Sequence, residues 1–339
     1  MSGVITRGAP WRHQLSDHVS ALAWAPDGDI VAAGSLGGDV AVLAAMDGEL
    51  IGTPSAHPMG VLALAWSTNG ILAVGGQDGR LCLYDVAIGH EQEVELGGWV
   101  NALAWSPAAD TLAVGAGRRL LVVEQGSVVA ELELVSTVTS LVWSTDGRRL
   151  GAGCYGGVHW LDRDDGWAES KHYDWRGSVL SLAMAPDGRW LAGGSQDATV
   201  QIWKLWSAEH LEMSGYPAKI QLLAWDPTSH WFANSCLESI TVWDCSGKGP
   251  KGRRPDNLEG HEGRVTGLAF SGEGLLASGS ADGRLALWAH RRKWREVGCA
   301  VIDGGISTVA WAPPGPLLAV GTDAGRVEML WASDLIETQ

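Results

Sequence analysis

The chain has 339 residues, 46% of them hydrophobic and 19% charged, which excludes a disordered protein and leaves room for two ordinary domains or one large repeat fold. Its formal net charge of −15 argues against a surface that binds nucleic acid or acidic lipid as a whole. Nineteen tryptophans stand beside two phenylalanines and four tyrosines, with 46 glycines. That skew suggests one packing position filled again and again, so internal repeats are sought first.

The opening residues, MSGVITRGAPWRHQ, hold no apolar core of signal-peptide length. No run in the chain approaches the roughly 18 apolar residues of a membrane span. Five cysteines (Cys82, Cys154, Cys236, Cys245, Cys299) are odd in number and never form a C-x-x-C pair. Buried thiols in a reducing compartment are the simplest reading, so a cytoplasmic protein without membrane contact is expected.

One six-residue pattern then returns eight times: VSALAW (19–24), VLALAW (61–66), VNALAW (100–105), VTSLVW (138–143), VLSLAM (179–184), IQLLAW (220–225), VTGLAF (265–270) and ISTVAW (306–311). Each copy leads into a turn such as APDG (25–28) or STDG (144–147), then a small-residue apolar segment such as ILAVGG (71–76) or LLASGS (275–280). A second turn, often Asp-Gly, precedes a third alternating strand such as RLCLYD (80–85) or RLALW (284–288). Three short strands and a variable fourth, at about 40 residues per unit, is the period of a β-propeller.

The unit at 260–288, GHEGRVTGLAFSGEGLLASGSADGRLALW, resembles a WD40 repeat. The resemblance implies that His261, Ser278, Asp282 and Trp288 match that family's buried hydrogen-bonded tetrad, with Asp282 as the shared acceptor of His261 and Trp288. A set of this kind is a structural lock, and its likeness to a catalytic triad is incidental. Other units depart from it. The second keeps His57 and Asp78 with Val74 and Tyr84, the fifth keeps Asp197 and Trp203 with Trp175 in the histidine slot, and the sixth ends in Trp243-Asp244. Asp323 in the eighth lies one residue off the register.

Between units, segments such as GELIGT (48–53) and EQEVEL (91–96) supply fourth strands, but after the eighth unit only SDLIETQ (333–339) remains. Residues 10–15, PWRHQL, are therefore expected to complete the blade of 306–331 and close the ring. The expectation is an all-β chain, residues 1–339 forming a single closed propeller of eight blades. Seven blades, with one unit outside the ring, is the alternative.

Sorting residues by turn gives two candidate surfaces. The face bearing the d–a and b–c turns carries Trp99, Arg118, Tyr155, Trp175, Arg176, Tyr216 and Lys219, residue types that dominate protein interfaces. Against that, Trp175 could simply fill its histidine slot. The opposite face carries two basic c–d turns, 246–257 and 289–297, with Lys248, Lys251, Arg253, Arg254, Arg291, Arg292, Lys293 and Arg295. No P-loop, G-x-S-x-G, H-E-x-x-H or paired Cys/His spacing occurs, so no catalytic residue, cofactor or metal ligand is assigned. Cys154 and His159 straddle one tight turn but lack the further ligands that a metal needs.

The expected function is a non-catalytic, monomeric scaffold that docks other proteins. A binder of an acidic ligand, nucleic acid or an acidic protein segment, through the basic turns is the second reading. A propeller enzyme or metal-dependent sensor is the third.

Overall fold

The computed structural model describes residues 10–207, 209–313 and 315–336. The stretch 1–9, read above for a signal segment, and the last residues 337–339 lie outside them. Every repeated sextet forms or enters the innermost strand of a unit. These strands are Val19–Trp24, Val61–Trp66, Val100–Trp105, Ser140–Trp143, residues 178–184 of Ala168–Met184, Leu222–Trp225, Val265–Phe270 and Ile306–Trp311. Neighbours in space follow chain order, and the eighth packs on the first.

By hydrogen bonding the strands make seven continuous sheets, six of four strands and one of six. The eight separate blades expected from the repeats are thus reduced to seven sheets, because units four and five share the six-stranded one. Ala168–Met184 runs unbroken from the outer strand of unit four into the inner strand of unit five. Arg149–Asp162 likewise spans both middle strands of unit four, and Tyr155 at its tight turn pairs with Ser178 across the junction. All eight units nevertheless belong to the ring.

Burial peaks in the middle of each unit. In unit two the innermost strand, Val61–Trp66, is mostly half-buried, Ile71–Gly76 is buried beyond its first residue, Arg80–Asp85 is buried at its centre, and the outer strand, His90–Glu95, is mostly exposed. Sheets face sheets on both sides, so the middle strands read as continuous apolar runs. Small residues in the second strand permit the close approach. A Cβ at Gly34 would stand 2.6 Å from Val61 of the next unit, and one at Gly321 would stand 2.6 Å from Val19 across the closure.

Two positions of the sextet stitch neighbouring units together. The closing indole reaches backward: Trp24 Nε1 donates to the carbonyl of Ala310 (2.9 Å), Trp66 to Ala23 (3.0 Å), Trp105 to Ala65 (3.1 Å), Trp143 to Ala104 (2.9 Å), Trp225 to Ala183 (3.1 Å) and Trp311 to Ala269 (3.1 Å). The second residue reaches forward: Ser20 Oγ to the carbonyl of Val61 (2.7 Å), Asn101 Nδ2 to Val138 (2.6 Å), Thr139 Oγ1 to Val179 (2.5 Å), Ser307 Oγ to Val19 (2.7 Å), and Thr266 to Ile306. Only the seam between units six and seven has neither kind among the described residues. Leu222–Trp225 is preceded there by Gln221, Phe270 replaces the tryptophan, and Ser235 stands where the other units have glycine.

The ring closes as expected. Trp11–Gln14 pairs antiparallel with Arg326–Trp331, with Trp11 opposite Met329 and Gln14 opposite Arg326. Trp11 also donates its indole N–H to the carbonyl of Ala45 in the first unit (2.8 Å), so the closing strand is fastened on both sides. After Trp331 the chain makes one helical turn, Ala332–Leu335, and Ile336 then bridges to Gly298 of the seventh unit.

Replacing Trp66 with Phe keeps an aromatic ring but leaves the Ala23 carbonyl without its donor. Urea unfolding should show a loss of about 1 kcal/mol for that hydrogen bond, and a similar loss for Trp311→Phe. Unchanged midpoints would mean that the indole bonds contribute no net stability.

Candidate functional site

The WD40-like residues of unit seven are close together but do not form one tetrad. Ser278 Oγ lies between His261 Nε2 (2.7 Å) and the donating Trp288 Nε1 (2.8 Å), all three buried. Asp282 is not their shared acceptor. It sits exposed at the rim and accepts from the backbone N–H groups of Glu262 (2.8 Å), Gly263 (2.9 Å) and Arg284 (2.7 Å), and from the Ser280 hydroxyl. The turn aspartate therefore clamps the incoming loop, while the serine holds the interior. Burial pushes the Asp282 carboxyl up, but these hydrogen bonds outweigh it and hold the pKa at about 2. Burial pushes the His261 imidazole down, against the pull of the Asp282 charge.

Other units solve the same problem with other atoms. His57 Nδ1 contacts Asp78 directly at 2.9 Å, and with Val74 in place of the serine its Nε2 is buried without a partner. In unit six Tyr216 fills the histidine slot. Its hydroxyl donates to Asn234 Oδ1 (3.0 Å) and accepts from Trp243 Nε1 (3.3 Å). Tyr216, expected as a docking aromatic, is thus an internal lock residue. Trp175 is half-buried, with its Nε1 close to where a Gly177 Cβ would stand beside Asp197, and its ring is tilted against His210.

Of the remaining face residues, Trp99 is 59% exposed and Tyr155 54%. Arg118 donates from Nε to the Leu134 carbonyl (3.1 Å) and pairs with Glu133 (3.1 Å). Arg176 is exposed, and Lys219 is half-buried at a cleft. Three apolar members of this face escaped the reading of the sequence: Leu36, Met59 and Val135, all exposed. With Trp99 and Tyr155 they form an arc over the d–a and b–c turns of units one to four. Two pairs of them are neighbours: the Leu36 carbonyl approaches Gly60, next to Met59, and the Tyr155 N–H donates to Ser136 Oγ, next to Val135.

On the same face a cleft of about 380 Å³ spans units six to eight and reaches unit one, with Lys219, Ser235, Arg264, Asp323 and His18 on its walls. Its walls include the seam of units six and seven, which lacks both stitches and carries Ser235 in place of glycine.

The basic turns divide. Arg253 is tied into its own loop, pairing with Asp244 and donating to Ser246 Oγ and its carbonyl (both 2.9 Å). The loop leans on the preceding unit, where a Cβ at Gly249 would meet Trp190 at 2.7 Å. Lys248, Lys251, Arg254, Arg291, Arg292, Lys293 and Arg295 are exposed.

Cys82, Cys154, Cys236 and Cys245 are buried thiols outside any disulfide. Burial pushes all four up, Cys245 to about 12, which makes them poor nucleophiles. Cys154 does not partner His159. Its thiol donates to the Tyr155 carbonyl (3.0 Å), whereas His159 Nδ1 lies 3.0 Å from Glu169 and its ring stacks on His172.

With this geometry in place, comparison with known proteins is informative. The model for the WD domain, G-beta repeat, matches residues 170–204 and 252–289, and that for the anaphase-promoting complex subunit 4 WD40 domain matches residues 9–69. Cell division cycle 20.1, cofactor of APC complex, from Arabidopsis thaliana is 27% identical over 290 residues, covering 80% of this chain and 54% of that one. The chain thus spans about half the length of that relative. Small ribosomal subunit protein RACK1y of Oryza sativa subsp. japonica is 27% identical over 116 residues, 33% of this chain and 34% of the relative. The crystal structure of Chaetomium thermophilum Sqt1 bound to the N-terminus of the ribosomal protein L10 superposes with a TM-score of 0.80 at 21% identity, over 93% of this chain and 97% of that one. The family-model matches and these relatives support a WD40-repeat β-propeller family for the chain.

Removing the serine at the centre of the lock separates its two halves. Ser278→Ala leaves the buried His261 and Trp288 ring nitrogens without their partner and should cost about 1–3 kcal/mol in unfolding experiments. Asp282 has a depressed carboxyl, so its contribution is complete above the ordinary value of 3.8 and is lost as the pH falls toward about 2. The difference in melting temperature between the wild type and Asp282→Asn should close over that window.

Proposed function

We propose that the chain is a non-catalytic interaction scaffold that docks other proteins on the face of its d–a and b–c turns. The observation that carries this reading is the apolar arc Leu36, Met59, Trp99, Val135 and Tyr155, exposed on four successive units of one face. Scattered single apolar residues are ordinary on a surface, but neighbouring ones grouped on one face mark sites that a partner covers. Trp99 and Tyr155 supply the large, rigid side chains from which interface hot spots are made. The cleft on the same face adds Lys219 and Arg264 for a partner's acidic or carbonyl groups.

The similarity to a cofactor of the APC complex, and to a propeller solved with a ribosomal-protein N-terminus, is in keeping with a docking role. Buried thiols held in their protonated form fit a reducing compartment, and the cytoplasm is the proposed setting. None of the helices among the described residues is long and apolar enough to cross a membrane.

A second reading, an acidic ligand on the opposite face, rests on the seven exposed cations of the two c–d turns. One experiment separates the two. Partners captured by the tagged wild type are compared with those of Met59→Gln/Trp99→Ala/Tyr155→Ala and of Arg254→Glu/Arg291→Glu/Arg292→Glu, with melting curves confirming intact folding. Partners lost only by the first variant support the apolar face. Loss only by the second moves the site to the basic turns, and retention by both shifts the search to the outer strands.

A further inference from the structure

We infer that the outer strands of unit four hold a divalent transition metal of the zinc class, bound by His159, Glu169 and His172. Their ligand atoms all lie within 4.8 Å of one another, the only such grouping of three or more His, Cys, Asp or Glu among the described residues. The two imidazoles are direct cross-strand partners, one on each arm of the hairpin, and stack at 4.1 Å with an interplanar angle of 17°. Glu169 Oε1 lies 3.0 Å from His159 Nδ1.

Three observations point beyond a fortuitous ion pair. First, the Nε2 atoms of both histidines are buried and have no hydrogen-bond partner. Buried polar atoms are nearly always satisfied, and an imidazole nitrogen with a lone pair and no donor facing it is suited to an ion. Second, the hairpin is irregular here. The register shifts between Trp160 and Leu161, so that His159 faces His172 and Leu161 faces Glu169. In a regular strand Glu169 and His172, three residues apart, would point to opposite faces. The extra residue, Ser170, reverses the alternation and brings the carboxylate to the imidazoles, which is a recognised use of a β-bulge. Third, both rings line a cleft of about 790 Å³ that also takes in Tyr155, Trp175 and His210, so an ion there is reachable from solvent.

Two imidazoles and one carboxylate are a donor set for zinc, at about 2.0–2.2 Å from each ligand. Three protein ligands leave a fourth tetrahedral position for water. Tyr155 belongs to the apolar arc, so the metal would sit at the edge of the proposed docking face, although the inference does not rest on that face.

The test uses the full chain freed of metal by chelation. Titration with zinc by calorimetry should show one equivalent bound, and cobalt should give the visible absorption of a tetrahedral site. His159→Ala, His172→Ala and the near-isosteric Glu169→Gln should each weaken binding by more than about tenfold. His210→Ala, which alters the cleft but removes no ligand, should leave affinity unchanged. Metal-free melting curves of the variants show whether folding is preserved; if His159→Ala fails to fold, Glu169→Gln and His172→Ala decide. Binding no tighter than millimolar, or binding that survives loss of these ligands, would overturn the assignment.

Discussion

The ring depends on a hydrogen bond between inner strands, from the indole at the end of one sextet to the alanine carbonyl near the end of the preceding one. Apolar packing alone would bring the sheets together without fixing their stagger, since it is not directional. The indole N–H is directional, and its large ring fills the space between strands while its one donor satisfies a carbonyl. Repeated at six of the eight seams, including the closure, it sets how each unit meets the last. It also accounts for a composition in which tryptophan outnumbers phenylalanine and tyrosine together.

Where the repeated residues change, the architecture changes with them. Met184 and Phe270 cannot donate, so the seams before them rely on other contacts. At the first, Thr139 still reaches the Val179 carbonyl and a shared sheet joins the units. At the second neither kind of bond is present among the described residues, Ser235 replaces glycine, and both units contribute walls to a cleft. Both irregular places of the ring border a cleft.

The repeat was legible because its apolar period needs no knowledge of what lies across the sheet. Eight sextets and an early strand near Trp11 were enough to anticipate a closed propeller. What the sequence concealed depends on atoms brought together from different turns. Asp282 matched a family position but is exposed, because its partners are backbone N–H groups that no side-chain pattern records. Tyr216 looked like a surface aromatic because Asn234 and Trp243, which hold its hydroxyl, lie on later strands. Glu169 and His172 were missed because a bulge cancels the alternation from which faces are read. Leu36, Met59 and Val135 stand out only when turns of successive units are seen side by side.

The pairing of Trp11–Gln14 with Arg326–Trp331 has a consequence for synthesis. The second of these strands is made more than 300 residues after the first. Throughout that interval the units already made can stack on one another, but the nascent arc has an open sheet at each end. Such edges are where chains mispair with one another. The final step is therefore a long-range closure, slow by the standards of hairpins, and it converts a growing stack into a molecule without ends.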